Sequence, residues 1–359
     1  MTADIEKRLK GLVASLPGNA DCALIFSPES RFCFTGFQAS DGVLIAGKNG
    51  CVLLEDSRYI EAAQRCVTSC EVRLFKKLSD SLPTEMKAFG YVCAAVEAER
   101  MTLSELEKLK RALPECEFVT QGLDAAVSRI RLIKSDDEVA LITLAQRCAE
   151  RAFEHILGYI KPGVSEREIA LELDFFMLKN GARGISFETI AVSGENSSMP
   201  HGVPSDRKIA NGDFITMDFG AVIGGYHSDM TRTVAVGQVS EEQRRVYDTV
   251  LAAQNAAIDT ICAGVSCKTA DAAARDIISE AGFGDYFGHG TGHGVGIEIH
   301  EQPRVSPSSD EILESGNVVT VEPGIYLPGR FGVRTEDMVL VTAHGCKNLT
   351  LVPKELIVL

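Results

Sequence analysis

The chain has 359 residues, 45% of them hydrophobic, and a formal net charge of −14 at pH 7. That length and apolar content bury a large core and favour two domains over one, and the acidic balance lacks the basic footprint that a nucleic acid or an anionic membrane surface would require. Eleven scattered cysteines without a CxxC pair read as reduced thiols; with the charged opening MTADIEKRLKGL and no apolar run of membrane-spanning length, they predict a cytoplasmic protein that binds neither membrane nor nucleic acid.

The first 120 or so residues alternate β-rich and helical runs: DCALIFS, then VLIAGKNGCVLLED with Asn49-Gly50 as a hairpin turn, SRYIEAAQRC, CEVRLFK, YVCAAVEAERM, SELEKLKRAL and CEFVTQG. They predict an α/β domain over 1–125. Ser135 with Glu138 forms a capping box that opens a long amphipathic helix reaching about Tyr159, and a second domain spans 126–359. That second part carries a repeat. GVSEREIALELDFFMLKNGA (163–182) is matched by GVSCKTADAAARDIISEAGF (264–283), and GDFITMDFG (212–220) by GNVVTVEPG (316–324), so that Asp218 falls on Glu322. Offsets of 101 and 104 residues in separate segments suggest a duplicated helix-plus-strand unit about a pseudo-twofold axis.

In each half the matched strand carries a carboxylate where alternation predicts an apolar residue, and a second carboxylate follows on the next strand: Asp218 with Asp229, Glu322 with Glu336. A hairpin closing at Ile223-Gly224 sets Asp218 directly across from Asp229, within about 5.5 Å on one face. Like charges so placed repel, and one takes up a proton unless a cation lies between them. A lone acid in a strand is usually a surface residue; four at repeat-related positions, with a histidine nearby, form the mixed O and N donor set that suits two divalent ions. That histidine belongs to HGTGHGVGIEIH (289–300), which holds three of the seven histidines, spaced mostly by glycine. Glycine removes bulk and lets the chain turn, so the imidazoles can converge. His155 and His344 read as solvated residues, and His227, close to Asp229, is left out of the site. The glycine-rich run does not fit GxGxxG, and HExxH is absent.

Taken in order, D218-x10-D229, H293 in its GHGxGxxxH context, E322 in VEPG and E336 in RTED resemble the pita-bread metallopeptidase family of methionine aminopeptidase, aminopeptidase P and prolidase. LLEDSRYIEAA resembles the creatinase-like N-terminal domain that aminopeptidase P and prolidase carry. The resemblance implies an α/β creatinase-like domain ahead of an α+β pita-bread catalytic domain with an internal pseudo-twofold repeat. It implies that Asp218, Asp229, His293, Glu322 and Glu336 hold two divalent metal ions, with Asp229 and Glu336 bridging them and Glu322 shuttling a proton. His300 resembles the donor to the substrate carbonyl; His201 in MPHGVP and His289 resemble histidines that line the pocket around proline. Arg334, two residues before Glu336, resembles the arginine of proline-directed members, the alternative being a plain ion-pair partner.

The implied activity is hydrolysis of Xaa-Pro bonds at peptide N-termini, with tripeptides slightly favoured over dipeptides; the alternative is an Xaa-Pro dipeptidase. A methionine aminopeptidase-like activity and a non-catalytic binding role are further alternatives, although non-catalytic members of the fold lack parts of this ligand set. Four carboxylates to one imidazole favour Mn²⁺, with Co²⁺, Zn²⁺ and Fe²⁺ open. The family resemblance also implies a homodimer and proline-containing peptide substrates.

Overall fold

The chain, seen in a computed structural model that describes residues 2–359, divides into two units, Met1–Arg131 and Leu132–Leu359. The change of character expected near residue 125 lies inside the helix Leu123–Leu132, so the division comes at that helix's end.

Unit one runs α1 (Thr2–Ala14), β1 (Cys22–Ile25), α2 (Pro28–Thr35), β2 (Val43–Gly47), β3 (Gly50–Glu55), α3 (Ile60–Cys66), β4 (Glu71–Leu74), α4 (Leu78–Phe89), β5 (Cys93–Val96), α5 (Leu103–Ala112), β6 (Glu117–Val119) and α6 (Leu123–Leu132). Its short apolar strands form one sheet in the order β4-β3-β2-β1-β5-β6. Helix-contributed Leu82, Met86 and Leu109 pack there with Leu24, Ile45, Leu54 and Val96 from the strands. The β2–β3 hairpin pairs Gly47 with Gly50, so the loop is Lys48-Asn49 and not Asn49-Gly50. Gly50 is needed inside the strand, where a Cβ would sit 2.4 Å from the Phe89 ring.

Unit two runs α7 (Asp136–Leu157), α8 (Glu166–Lys179), β7 (Gly184–Ile185), β8 (Ile190–Ser193), β9 (Phe214–Phe219), β10 (Ala221–Ile223), β11 (Tyr226–His227), β12 (Met230–Ala235), α9 (Glu241–Thr260), α10 (Cys267–Glu280), β13 (Gly292–Gly294), β14 (Glu301–Val305), β15 (Val318–Val321), β16 (Gly324–Leu327), β17 (Phe331–Arg334), β18 (Asp337–Thr342) and β19 (Gly345–Asn348). The predicted capping box starts α7: Ser135 accepts from Glu138 N–H, and the Glu138 carboxylate takes the Ser135 N–H. The duplication is visible in hydrogen bonds. Ser165 caps α8 and Ser266 caps α10, Gly163 N–H donates to Ile209 O as Gly264 N–H does to Leu313 O, and Ile209 N–H donates to Val164 O as Leu313 N–H does to Val265 O. Each half has its own core, with Ile169, Leu173, Ile215 and Met217 in one and Ala274, Ile278, Val319 and Val321 in the other. The strands pair in two main sheets, β12-β9-β8 and β14-β13-β15-β18-β19.

One register differs from expectation. β9 pairs with β12 so that Thr231, not Asp229, lies opposite Asp218, and β10 pairs Ile223 with Tyr226. The turn is therefore Gly224-Gly225, with φ of 59° and 85°. A two-residue hairpin turn requires positive φ at both positions, which two glycines adopt freely and the β-branched Ile223 does not. The slip is two residues, and a shift of two keeps side chains on their original face.

Candidate metal centre and substrate cleft

The five expected ligands are set by strand ends. Asp218 is in β9, Asp229 directly precedes β12, His293 is central in β13, Glu322 directly follows β15, and Glu336 sits in the break between β17 and β18. The breaks at Asp229 and Glu336 differ from the continuous second strands expected from sequence. Breaks free backbone groups for cross-links between the halves: Glu336 N–H donates to Thr231 O at 3.1 Å, and Thr231 Oγ1 donates to Glu336 Oε2 at 2.7 Å.

The glycines around His293 serve close approach and not sharp turning, since none between 288 and 296 has a left-handed φ. β13 is squeezed between β14 and β15, and a Cβ on Gly292 or Gly294 would fall 2.0 Å from Thr320 O or 2.2 Å from Gln302 O. His293 Nδ1 faces Gly294 O at 3.1 Å. With the proton on that nitrogen, Nε2 presents its lone pair 3.6 Å from Asp229 Oδ2 and 3.3 Å from Glu322 Oε1.

All nine expected site residues, the five above with His201, His289, His300 and Arg334, line one cleft of about 540 Å³. Single donor atoms of Asp229, His293 and Glu336 lie within 4.8 Å of one another. Burial raises the Asp229 carboxyl well above its usual range, and the charges of Glu336, Asp218 and Glu322 raise it further. Burial likewise raises Glu336, aided by Glu322 and Asp218, and lifts Glu322 to about 7. Asp218 Oδ1 and Asp229 Oδ1 are buried without a hydrogen-bond partner. Orphaned buried oxygens among carboxylates that resist ionisation are what a bound cation resolves, so the residues present fit divalent metal ions.

The four flanking residues divide. Arg334 is almost fully engaged: Nη2 donates to Asp218 Oδ2 at 2.7 Å, Nη1 to Tyr326 OH at 2.8 Å and Pro200 O at 3.2 Å, and Nε to Thr231 Oγ1 at 3.1 Å. The guanidinium holds Asp218 and has little left for a substrate. His289 is also spoken for, with Nδ1 2.8 Å from Gly290 O and Nε2 2.9 Å from Tyr326 OH. Burial drops its pKa to about 4, so the ring is neutral and offers the cleft its surface. His300, exposed at the cleft wall, meets His293 edge-on with ring centroids 4.5 Å apart, and His201 is exposed on the loop after Pro200. His227, on the short β11 that ends before Asp229, does not line the cleft; its backbone N–H donates to Gly296 O.

Sequence reasoning passed over Tyr326, which ties His289 to Arg334; Thr231, which joins Glu336 to Arg334; Arg304, exposed at the cleft; and Asp271. Asp271 accepts from Thr291 N–H and Oγ1 and pairs with Arg275, which donates to the Phe287 and His289 carbonyls. For Thr231 a signal existed, since it stands two residues from Asp229 and so on the same face of the chain; Tyr326 gave none, because β15 and β16 belong to different sheets.

Comparison with known proteins accords with this geometry. Residues 140–343 match metallopeptidase family M24 and residues 8–133 the creatinase/prolidase N-terminal domain. The chain is 36% identical to an Xaa-Pro dipeptidase of Pyrococcus furiosus across 98% of this chain and 100% of that one. Among solved structures it resembles an Xaa-Pro dipeptidase from Bacillus anthracis, TM-score 0.95 and 42% identity with both chains fully covered. It also resembles an X-Pro aminopeptidase from Thermotoga maritima, TM-score 0.92 and 37% identity over 98% of this chain and 100% of that one. The chain belongs to metallopeptidase family M24, with a creatinase/prolidase N-terminal domain preceding a pita-bread catalytic domain.

Proposed function

We propose that this metallopeptidase hydrolyses the Xaa-Pro bond of short peptides, dipeptides foremost, with Asp218, Asp229, His293, Glu322 and Glu336 holding two divalent ions, Mn²⁺ first among the candidates. When bound, such ions supply a water of lowered pKa and polarise the scissile carbonyl. The chain's own groups do the rest. Glu322, whose Oε1 lies 3.3 Å from His293 Nε2 in the cleft, accepts a proton and returns it to the leaving proline nitrogen. His300 donates a hydrogen bond to the scissile carbonyl oxygen as charge develops there. The neutral face of His289 and the exposed ring of His201 flank the proline. Arg334 acts through Asp218, as a positioning residue. The relatives include proteins named dipeptidase and aminopeptidase, and the protein is proposed to work as a cytoplasmic homodimer.

The observation that favours dipeptides is Arg304. It lines the cleft, is exposed, and lies across β13–β14 from His293. Its side chain has no hydrogen-bonded or ion-paired partner among the described residues, unlike Arg334. An open guanidinium beside the reacting centre fits the free carboxylate that follows proline in a dipeptide and is absent from that position in a tripeptide. The test is kcat/KM for Ala-Pro against Ala-Pro-Ala, Ala-Ala and Ala-Ala-Ala with Mn²⁺. Ala-Pro is expected to lead, and Arg304→Ala to raise its KM about tenfold or more while sparing the tripeptide. Faster turnover of Ala-Pro-Ala, unaffected by Arg304→Ala, would select the aminopeptidase reading; equal rates on the alanine peptides would remove the proline assignment.

A further inference from the structure

Unit one holds a cavity of about 1030 Å³ that peptide hydrolysis does not use. It opens at the carboxyl ends of β1 and β5, which run parallel and adjacent. From β1 the chain passes through α2 to β2 on one side, and from β5 through α5 to β6 on the other. The two connections diverge and leave a crevice between them, the position at which open α/β sheets bind ligands. The volume matches small-molecule sites.

The lining decides the ligand class. Phe26, Leu82, Met101 and Leu109 give an apolar wall, with Leu82 and Leu109 buried. Lys108 and Arg111, exposed and three residues apart on α5, stand at the mouth. A phosphate cradle is excluded, because the turn's own amides are taken: Phe26 and Ser27 N–H donate to Glu97 Oε2, and Ala98 and Glu99 N–H to the Asp124 carboxylate. The lining carries as many acids as bases, Glu29, Glu97 and Glu105 against Arg100, Lys108 and Arg111; Glu97 and Glu105 keep their charge, but their oxygens are held by the amides of Phe26, Ser27 and Thr102, which leaves Lys108 and Arg111 as exposed cations for a ligand.

The geometry points to a second small-molecule site in unit one that takes an organic anion with an apolar body, its carboxylate or sulfonate at Lys108 and Arg111. The site stands apart from the peptidase reading. It is tested on the full chain by fluorescence titration with 8-anilinonaphthalene-1-sulfonate. Saturable binding of about one equivalent is expected, displaced by decanoate and not by proline. Lys108→Glu combined with Arg111→Glu should weaken it about tenfold or more, with far-ultraviolet circular dichroism and kcat/KM for Ala-Pro unchanged. No saturable enhancement, displacement by proline, or unaltered affinity in the double variant would overturn the site.

Discussion

Adjacent residues of the catalytic unit show two ways to bury a carboxylate. Asp337 is fully buried and paired, 2.7 Å from Arg232 Nη2 and 3.2 Å from Lys354 Nζ, with Asn348 Nδ2 on its second oxygen. Its neighbour Glu336 enters the cleft, where Thr231 supplies one hydrogen bond and the charges nearby are mainly other carboxylates. Unit one approaches the first pattern without completing it: Glu55 Oε1 sits 3.3 Å from Arg31 Nη1, and that guanidinium also reaches the carbonyls of Phe26, Ala39 and Asp41, but Glu55 Oε2 is buried without a hydrogen-bond partner. A carboxylate buried with its own cation belongs to the fold. One buried among its own kind belongs to a ligand, because folding alone gives no return for the repulsion.

The comparison separates function from stability, and substitutions should do the same. Asp229→Asn or Glu336→Gln should lower kcat/KM by on the order of 10³-fold or more and abolish stoichiometric metal by elemental analysis. The chelated protein should melt no lower than the parent, since one repelling charge is gone. Full metal occupancy with normal turnover would break the comparison at its centre. Arg31→Met should do the opposite, losing about 3 to 5 kcal/mol in urea denaturation by stranding Glu55 and three carbonyls, while the folded fraction keeps its specific activity. A loss below about 1 kcal/mol would mean the buried pair is not holding the unit together.

His300→Ala sharpens the boundary within the cleft, because the residue lines it without belonging to the ligand set. It should cost about 10²-fold in kcat with metal content retained; loss of metal would move His300 into the ligand set. The smallest effect concerns pH. Burial lifts Glu55 to about 7 against an ordinary 4.5. A raised folded-state pKa means stability is fully present below the unfolded value and lost as pH rises through the folded one, here between about 4.5 and 7. Near pH 6 folding therefore takes up about one proton at this site, a slope of roughly 1.3 kcal/mol per pH unit. Glu55→Gln should remove that component from stability measured across pH 5 to 7, and an unchanged slope would show that Arg31 keeps Glu55 ionised throughout.

Much of this was determined by sequence alone. The order of the five donor residues, the capping box at Ser135, and the repeat joining Asp218 to Glu322 depend on spacings of a few residues and on strand alternation, which are local. What stayed hidden depends on neighbours distant in the chain. The two-residue slip that sets Thr231 opposite Asp218 follows from a turn needing two positive φ angles. The glycines beside His293 are fixed by strands on both sides that leave no room for a Cβ. Arg334 was legible as a cleft residue, but that it holds Asp218 and Tyr326 while Arg304 stays open was decided only when β9, β16 and β17 came together, since a guanidinium's role is set by which acceptors reach it, and those acceptors are fixed by packing and not by position in the chain.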